Sequence, residues 1–225
     1  MIEFLESSYF IVLYLVTLIV AIATYRNYFD TALQLFPIYI AYTFFTELLG
    51  YFITTYEEFS FFEDIAYSWH NVAIFNLYGV LVFSFFSWVY YQVLEKNSHK
   101  KIVRWGSLAI LASYLISSFF QDPLHTGLFY SDALASWFLV LVVLLYFKER
   151  RIQEKVIFDQ YNLMFWVSSG LFVFHIFFPF LYVTGFLKPN IWIAYHFREI
   201  LKILIVISYS FFLWGLLVSK RNAFH

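Results

Sequence analysis

The sequence predicts an all-α integral membrane protein: a single bundle of seven transmembrane helices, with the N-terminus outside and the C-terminus cytoplasmic. Three observations carry this. Only 13% of the 225 residues are charged, against about 25% in an average soluble domain, while 62% are hydrophobic and 25% aromatic. Seven stretches meet the requirement of about 20 mostly apolar residues for a spanning helix. Lys and Arg fall almost wholly on one side of the resulting pattern.

The stretches lie near 8–25, 32–55, 68–92, 103–121, 131–148, 161–185 and 191–218. The connections are too short for a soluble domain, so residues 1–225 form one transmembrane domain. The first eight residues carry Glu3 and Glu6 without Lys or Arg, unlike the basic start of a cleaved signal peptide, so the first apolar stretch is expected to stay as a helix. Eleven basic residues share one side: Arg26, then Lys96, Lys100, Lys101 and Arg104, then Lys148, Arg150, Arg151 and Lys155, then Lys220 and Arg221. The other side has only Lys188, and holds Glu3, Glu6, Glu57, Glu58, Glu63, Asp64 and Asp122, with Asp132 at its edge. The basic side is therefore assigned to the cytoplasm, and the membrane to the plasma (inner) membrane.

In the first stretch Tyr14, Thr17, Ala21 and Thr24 fall within about 80° of one another on a helical wheel. In the second, Tyr39, Thr43, Glu47, Gly50 and Thr54 do the same, with Glu47 the one acid on a stripe of small and polar residues. The connection 56–67 mixes acids and rings, as an interfacial turn does. The third stretch sets Trp69, Ala73, Asn76, Val80 and Ser87 on one face. The fourth carries Ser113, Ser117 and Gln121 on a packing ridge, followed by an outer turn at Asp122-Pro123-Leu124-His125. The fifth opens with Ser131 as a cap and Asp132 at the positive helix N-terminus, both read as structural. The sixth has Ser168, His175, Pro179 and Tyr182 on one side, and Pro179 is expected to kink it by freeing the His175 carbonyl. The seventh holds His196, Arg198, Glu199 and Lys202 in its first half, with His196, Glu199 and Lys202 on an arc of about 120°.

Ionisable groups at membrane depth cost about 2.5–3.5 kcal/mol each by insertion scales and normally face a bundle interior. Glu47, His175, His196, Arg198, Glu199 and Lys202 all fall in the outer half or near the midplane, and the inner half is nearly free of such groups. This predicts an outward-facing polar pocket between helices 2, 3, 6 and 7, with Asn76 completing the ligand-binding set. Arg198 and Lys202 suit a small anionic or zwitterionic ligand, and the aromatic residues supply apolar walls. A receptor-like protein acting through a membrane or cytoplasmic protein partner fits best. The competing structural expectation is a closed network in which Glu47 and Glu199 neutralise Arg198 and Lys202.

Other functions are weighed on the same residues. A proton-coupled transporter could use Glu47, His175 and Glu199 as relay groups, but there is no visible inverted repeat and no polar exit through the inner half. A membrane-embedded hydrolase could gather His70, His175 and His196 on a metal. The chain lacks the histidine pairs of seven-helix hydrolases of the ceramidase and progestin-receptor type, so no metal and no cofactor are expected, and whether the protein is an enzyme stays open. Net charge is -1, which excludes a strong electrostatic case for nucleic acid, and the absence of cysteine excludes disulfides and thiolate chemistry. In helix count, length, topology and a seventh-helix lysine the outline resembles a microbial rhodopsin. That resemblance implies Lys202 as a retinal Schiff-base residue with Glu199 or Glu47 as counter-ion. The third stretch departs from it, having no acid and no arginine.

Overall fold

In the computed structural model, residues 2–59, 72–153 and 160–221 are described. Among them there are only helices, turns and connections: α1 Ile2–Ala23, α2 Phe36–Thr55, α3 Val72–Val93, α4 Asn97–Phe120, α5 Phe129–Gln153, α6 Leu163–Leu187, the short α7 Pro189–Ala194, and α8 Phe197–Val218. Six of these, α2 to α6 and α8, are long and apolar enough to cross a membrane, and α1 adds a shorter apolar run, Tyr9–Ala23. The chain is a helical membrane bundle.

Local chemistry sets the helix ends. Pro37 stands in the first turn of α2, where its missing N–H is no loss. The Asn162 side chain caps α6 by accepting from Met164 N at 2.9 Å. Hydroxyls within the helices bond back to their own backbone, as Thr17 does to the Leu13 carbonyl at 2.7 Å and Ser169 to that of Phe165 at 2.8 Å. A hydroxyl satisfied in this way can stand in an apolar span.

Six helices close a ring, with contacts running α1 to α2, α2 to α3, α3 to α5, α5 to α6, α6 to α8, and α8 back to α1. Helix α4 lies outside this ring against α3 and α5, and buries only Val103 and Tyr114. The α6–α8 crossing is tight. A Cβ on Gly170 would lie 2.7 Å from the Ser208 carbonyl oxygen, and one on Gly215 would lie 2.6 Å from Trp166 Cβ, so only glycine lets these backbones approach. Most of each expected inward stripe of the first two helices is present: Tyr14, Thr17 and Ala21 are buried, as are Tyr39, Thr43 and Gly50, while Thr24 and Glu47 are half-buried and Thr54 is exposed.

The bundle has a basic end, holding the α1–α2, α3–α4 and α5–α6 connections and the C-terminal end of α8, and an acidic end, holding the N-terminal ends of α3, α5 and α8. At the basic end the chain is tied together by Asn27 Nδ2 donating to the Ser219 carbonyl at 3.1 Å and by Arg221 pairing with Asp30 at 2.8 Å. At the acidic end the Asn76 amide donates to the Pro123 and Thr126 carbonyls at 2.7 and 3.0 Å and accepts from Leu128 N at 3.1 Å. One buried side chain on α3 thereby fixes the turn between α4 and α5. Within that turn the His125 ring, 2.6 Å from Asp122, holds the Asp122 carboxyl below its usual range, with help from the Leu124 N–H.

Two expectations need correction. The seventh stretch is two helices, not one. His196 takes a left-handed backbone conformation (φ 51°, ψ 42°) between α7 and α8. The sixth helix runs without interruption from Leu163 to Leu187, with Pro179, where a kink is expected, buried inside it. The basic end is not free of ionisable groups within the bundle. Glu149, one residue past the expected end of the fifth stretch, is 2% exposed and receives the N–H groups of Glu95 and Lys96 at 2.8 and 3.2 Å, with His99 Nδ1 at 2.5 Å. It caps the approach to α4 from α5.

Candidate functional site

A cavity of about 400 Å³ occupies the middle of the ring, in the half toward the acidic end. Every ring helix contributes to it, and α4 reaches in with Tyr114. The expected boundary of helices 2, 3, 6 and 7 is therefore too narrow: α1 and α5 also form the wall. The helical repeat explains which residues arrive there. On α6, Phe174, Phe178 and Tyr182 follow at intervals of four and stack in sequence, with ring centroids 5.1 and 4.9 Å apart. On α8, Leu201, Ile205, Ser208, Tyr209 and Phe212 follow the same period.

Toward the basic end the cavity is floored by tyrosines. Tyr209 donates to the Tyr39 hydroxyl at 3.3 Å, the Thr43 and Tyr78 hydroxyls lie 3.1 Å apart, and Tyr14 packs edge-on to Tyr209 with centroids 4.4 Å apart. Below this layer Phe36, Phe86, Val143 and Phe212 are at most 1% exposed and close the bundle.

Among the described residues three ionisable groups other than tyrosine line the cavity: Glu47 on α2, Asp132 on α5 and His175 on α6. They differ in how they are held. Asp132 accepts a hydrogen bond from the Tyr114 hydroxyl at 2.7 Å, and it packs so close to α3 that a Cβ on Gly79 would lie 2.9 Å from its Oδ1. Gly79 is the residue that makes room for this acid. His175 Nδ1 lies 3.1 Å from the Ser136 hydroxyl. Glu47 stands one turn beyond Thr43 and has no hydrogen bond or ion pair among the described residues. It lies within electrostatic reach of the Tyr14 and Tyr78 hydroxyls.

Of the sequence-derived set, Glu47, Asn76 and His175 come together on the cavity wall, the Asn76 amide being engaged by the 123–128 turn. The α8 group does not join them. His196, Arg198 and Glu199 are exposed, and the largely covered Lys202 pairs with Glu199 at 2.9 Å rather than with Glu47. The break at His196 is the physical reason: it starts α8 at Phe197, so these residues fall in its first two turns instead of the middle of a long span. No Lys or Arg lines the cavity, and the closed Glu47–Arg198–Glu199–Lys202 network is absent among the described residues. Of the histidines considered for a metal, His70 lies outside the described residues, His175 faces the cavity and His196 is exposed. Among the described residues no group of three or more His, Asp or Glu is placed to hold a metal ion.

Asp132 and Tyr114 are the site residues that sequence reasoning missed. Asp132 sits where a helix N-terminus accounts for an acid on its own, and Tyr114 is one of 19 tyrosines in an aromatic chain. The one available signal was Gly79, a glycine without turn context inside an apolar helix, which marks a close approach.

Comparison of the chain with protein-family models, with curated proteins and with solved structures found no match.

Proposed function

We propose that the protein crosses the membrane seven times, with the basic end cytoplasmic and the N-terminus outside, and that its central cavity binds a small, largely apolar molecule oriented by a few polar groups. One observation carries this reading: a cavity of about 400 Å³ inside a ring of helices, with aromatic walls and with Glu47, Asp132 and His175 converging on it. Ligand pockets have that size and that mixture of apolar wall and sparse polar groups. The anionic ligand expected from Arg198 and Lys202 loses its support, since neither lines the cavity. Binding is read out by a partner at the basic connections in this receptor-like view.

The test is a search for a bound molecule by mass spectrometry of protein purified in mild detergent, beside an Ala135→Phe variant. Ala135 is buried on the cavity wall, so the added ring fills the space. A small molecule that co-purifies with the native chain and not with the folded variant supports the reading. A molecule retained equally by both overturns it. The orientation is tested by labelling single cysteines in intact cells, with no native cysteine to remove. Ser60→Cys should react from outside and Asn222→Cys should not; the reverse pattern overturns the topology.

A transport reading is favoured by one further observation. A second cavity of about 380 Å³ lies at the basic end, lined by Asp30, Gln92, Glu95, Glu149, Arg150 and Asn162 among others. A polar space at that end is what a transport path through the inner half requires, and Phe36, Phe86, Val143 and Phe212 are at most 1% exposed within the bundle. Flux of the co-purified molecule into proteoliposomes distinguishes carriage from binding.

A further inference from the structure

We infer that the molecule held in the central cavity is a lipophilic organic cation, an ammonium group on an apolar body, with Glu47 as its counter-charge. This rests on the ligand-binding reading above and names the class of ligand.

Charge is the starting point. Among the described residues the cavity wall carries two carboxylates, one imidazole and no Lys or Arg. The two acids are not equivalent, because Asp132 is held by the Tyr114 hydroxyl at 2.7 Å while Glu47 has no hydrogen-bonding or ionic partner among the described residues. The cations nearest in sequence reasoning are elsewhere, Lys202 on Glu199 and Arg198 exposed. A carboxylate at membrane depth demands a positive partner or a proton. Glu47 therefore presents an unfilled demand for positive charge inside a space large enough for a ligand.

The walls meet the same ligand. Tyr14, Phe75, Tyr78, Phe174 and Phe178 line the space with aromatic rings. Aromatic faces attract an ammonium through their quadrupole, and more strongly once water is excluded. They attract a carboxylate not at all. A cation with an apolar body satisfies Glu47 with its head and the rings with its body. An anion would face two acids, and a neutral molecule would leave Glu47 to be neutralised by a proton instead of by its ligand.

The experiment uses three probes of matched shape: 4-phenylbutylamine, 4-phenylbutan-1-ol and 4-phenylbutyrate, titrated calorimetrically into the full chain in lipid nanodiscs at neutral pH. The amine should bind at least about tenfold more tightly than the alcohol, and the carboxylate weakest. Glu47→Gln should erase the difference between amine and alcohol while leaving alcohol binding in place, and Glu47→Asp should keep it. Equal binding of amine and alcohol, or an amine preference that survives Glu47→Gln, overturns the inference and leaves the ligand-binding reading standing. Failure of all three probes to bind overturns both. An ammonium can also come from a lipid headgroup, so the titration is repeated with phosphatidylethanolamine added to phosphatidylglycerol discs. A weakened amine affinity assigns the site to the headgroup, and an unchanged one to a free amine.

Discussion

At the basic end, the Glu149 carboxylate receives two backbone N–H groups at 2.8 and 3.2 Å and lies 2.5 Å from His99 Nδ1. At the acidic end, the Glu47 carboxylate borders a cavity and has no such partner among the described residues. Both acids project from helix walls of one bundle, but only the first is satisfied by the protein itself. A carboxylate whose lone pairs are met by the chain holds helices in place. One left unmet beside an empty space is available to something else. The difference teaches that burial alone does not mark a functional acid: Glu149 is the more deeply buried of the two, and it is structural.

The largest expected effect tests the structural member of this pair. Glu149→Ala leaves two backbone N–H groups and the His99 ring without their acceptor, and removing one partner of such a buried cluster costs about 3–5 kcal/mol. The variant should melt much earlier in detergent or fail to accumulate, and Glu149→Gln should recover part of the loss. A wild-type melting temperature for Glu149→Ala would remove the structural assignment.

Asn76→Ala comes next. Its amide makes three hydrogen bonds to the α4–α5 turn, and orphaning buried backbone groups there should cost about 2 kcal/mol. Unlike Glu149, Asn76 also borders the cavity, so the effect should be local: hydrogen exchange at the Leu128 amide should rise while α6 and α8 keep their protection. Uniform loss of protection would mean that the turn is not a separate unit.

How much of this was legible in the sequence depends on what each residue touches. The stripes of α1 and α2 were legible, because Tyr14, Thr17 and Ala21, or Tyr39, Thr43 and Gly50, obey the helical period that burial imposes. The C-terminal end of α3, at Val93 against an expected 92, and the N-terminal end of α5, at Phe129 against 131, were legible from hydropathy. The break at His196 was not. No Gly or Pro stands there, and a left-handed histidine carries no composition signal. The nine residues from Ala194 to Lys202 therefore read as a charged helical arc pointing inward, and four of the seven expected site residues were placed in the cavity for that reason. Glu149 was hidden for a different cause: it sits in the basic run Lys148 to Arg151, where one acid looks like solvent-facing charge. Its partners are backbone groups of another helix, which no periodicity displays.

Tyr114→Phe carries a smaller effect and sharpens the contrast between the two cavity acids. Its hydroxyl donates to Asp132 at 2.7 Å, so its loss should cost about 1 kcal/mol. The ring stays, so packing of α4 against α3 and α5 is kept. If Asp132 thereby becomes a second unmet carboxylate, a cationic probe should bind more tightly to Tyr114→Phe than to the native chain. Unchanged probe affinity would leave Glu47 as the one acid that matters to the cavity.

The smallest expected change in stability is the most informative about Glu47. Glutamine matches glutamate in shape and removes the charge, and no hydrogen bond or ion pair among the described residues is lost with it. Glu47→Gln should therefore cost no stability, and any change should be in the stabilising direction, since an unpaired carboxylate at membrane depth is removed. The same reasoning extends to Arg198, which is exposed on α8 and shares no partner with Glu47. Changes at sites without shared partners add, so Glu47→Gln combined with Arg198→Met should melt where the two single variants together place it, within about 0.5 kcal/mol. Melting of the four proteins in one detergent checks this. A loss of several kcal/mol in Glu47→Gln that Arg198→Met restores would reveal a closed ion pair between α2 and α8. Glu47 would then be held by the chain as Glu149 is, and the cavity would have no charge to offer a ligand.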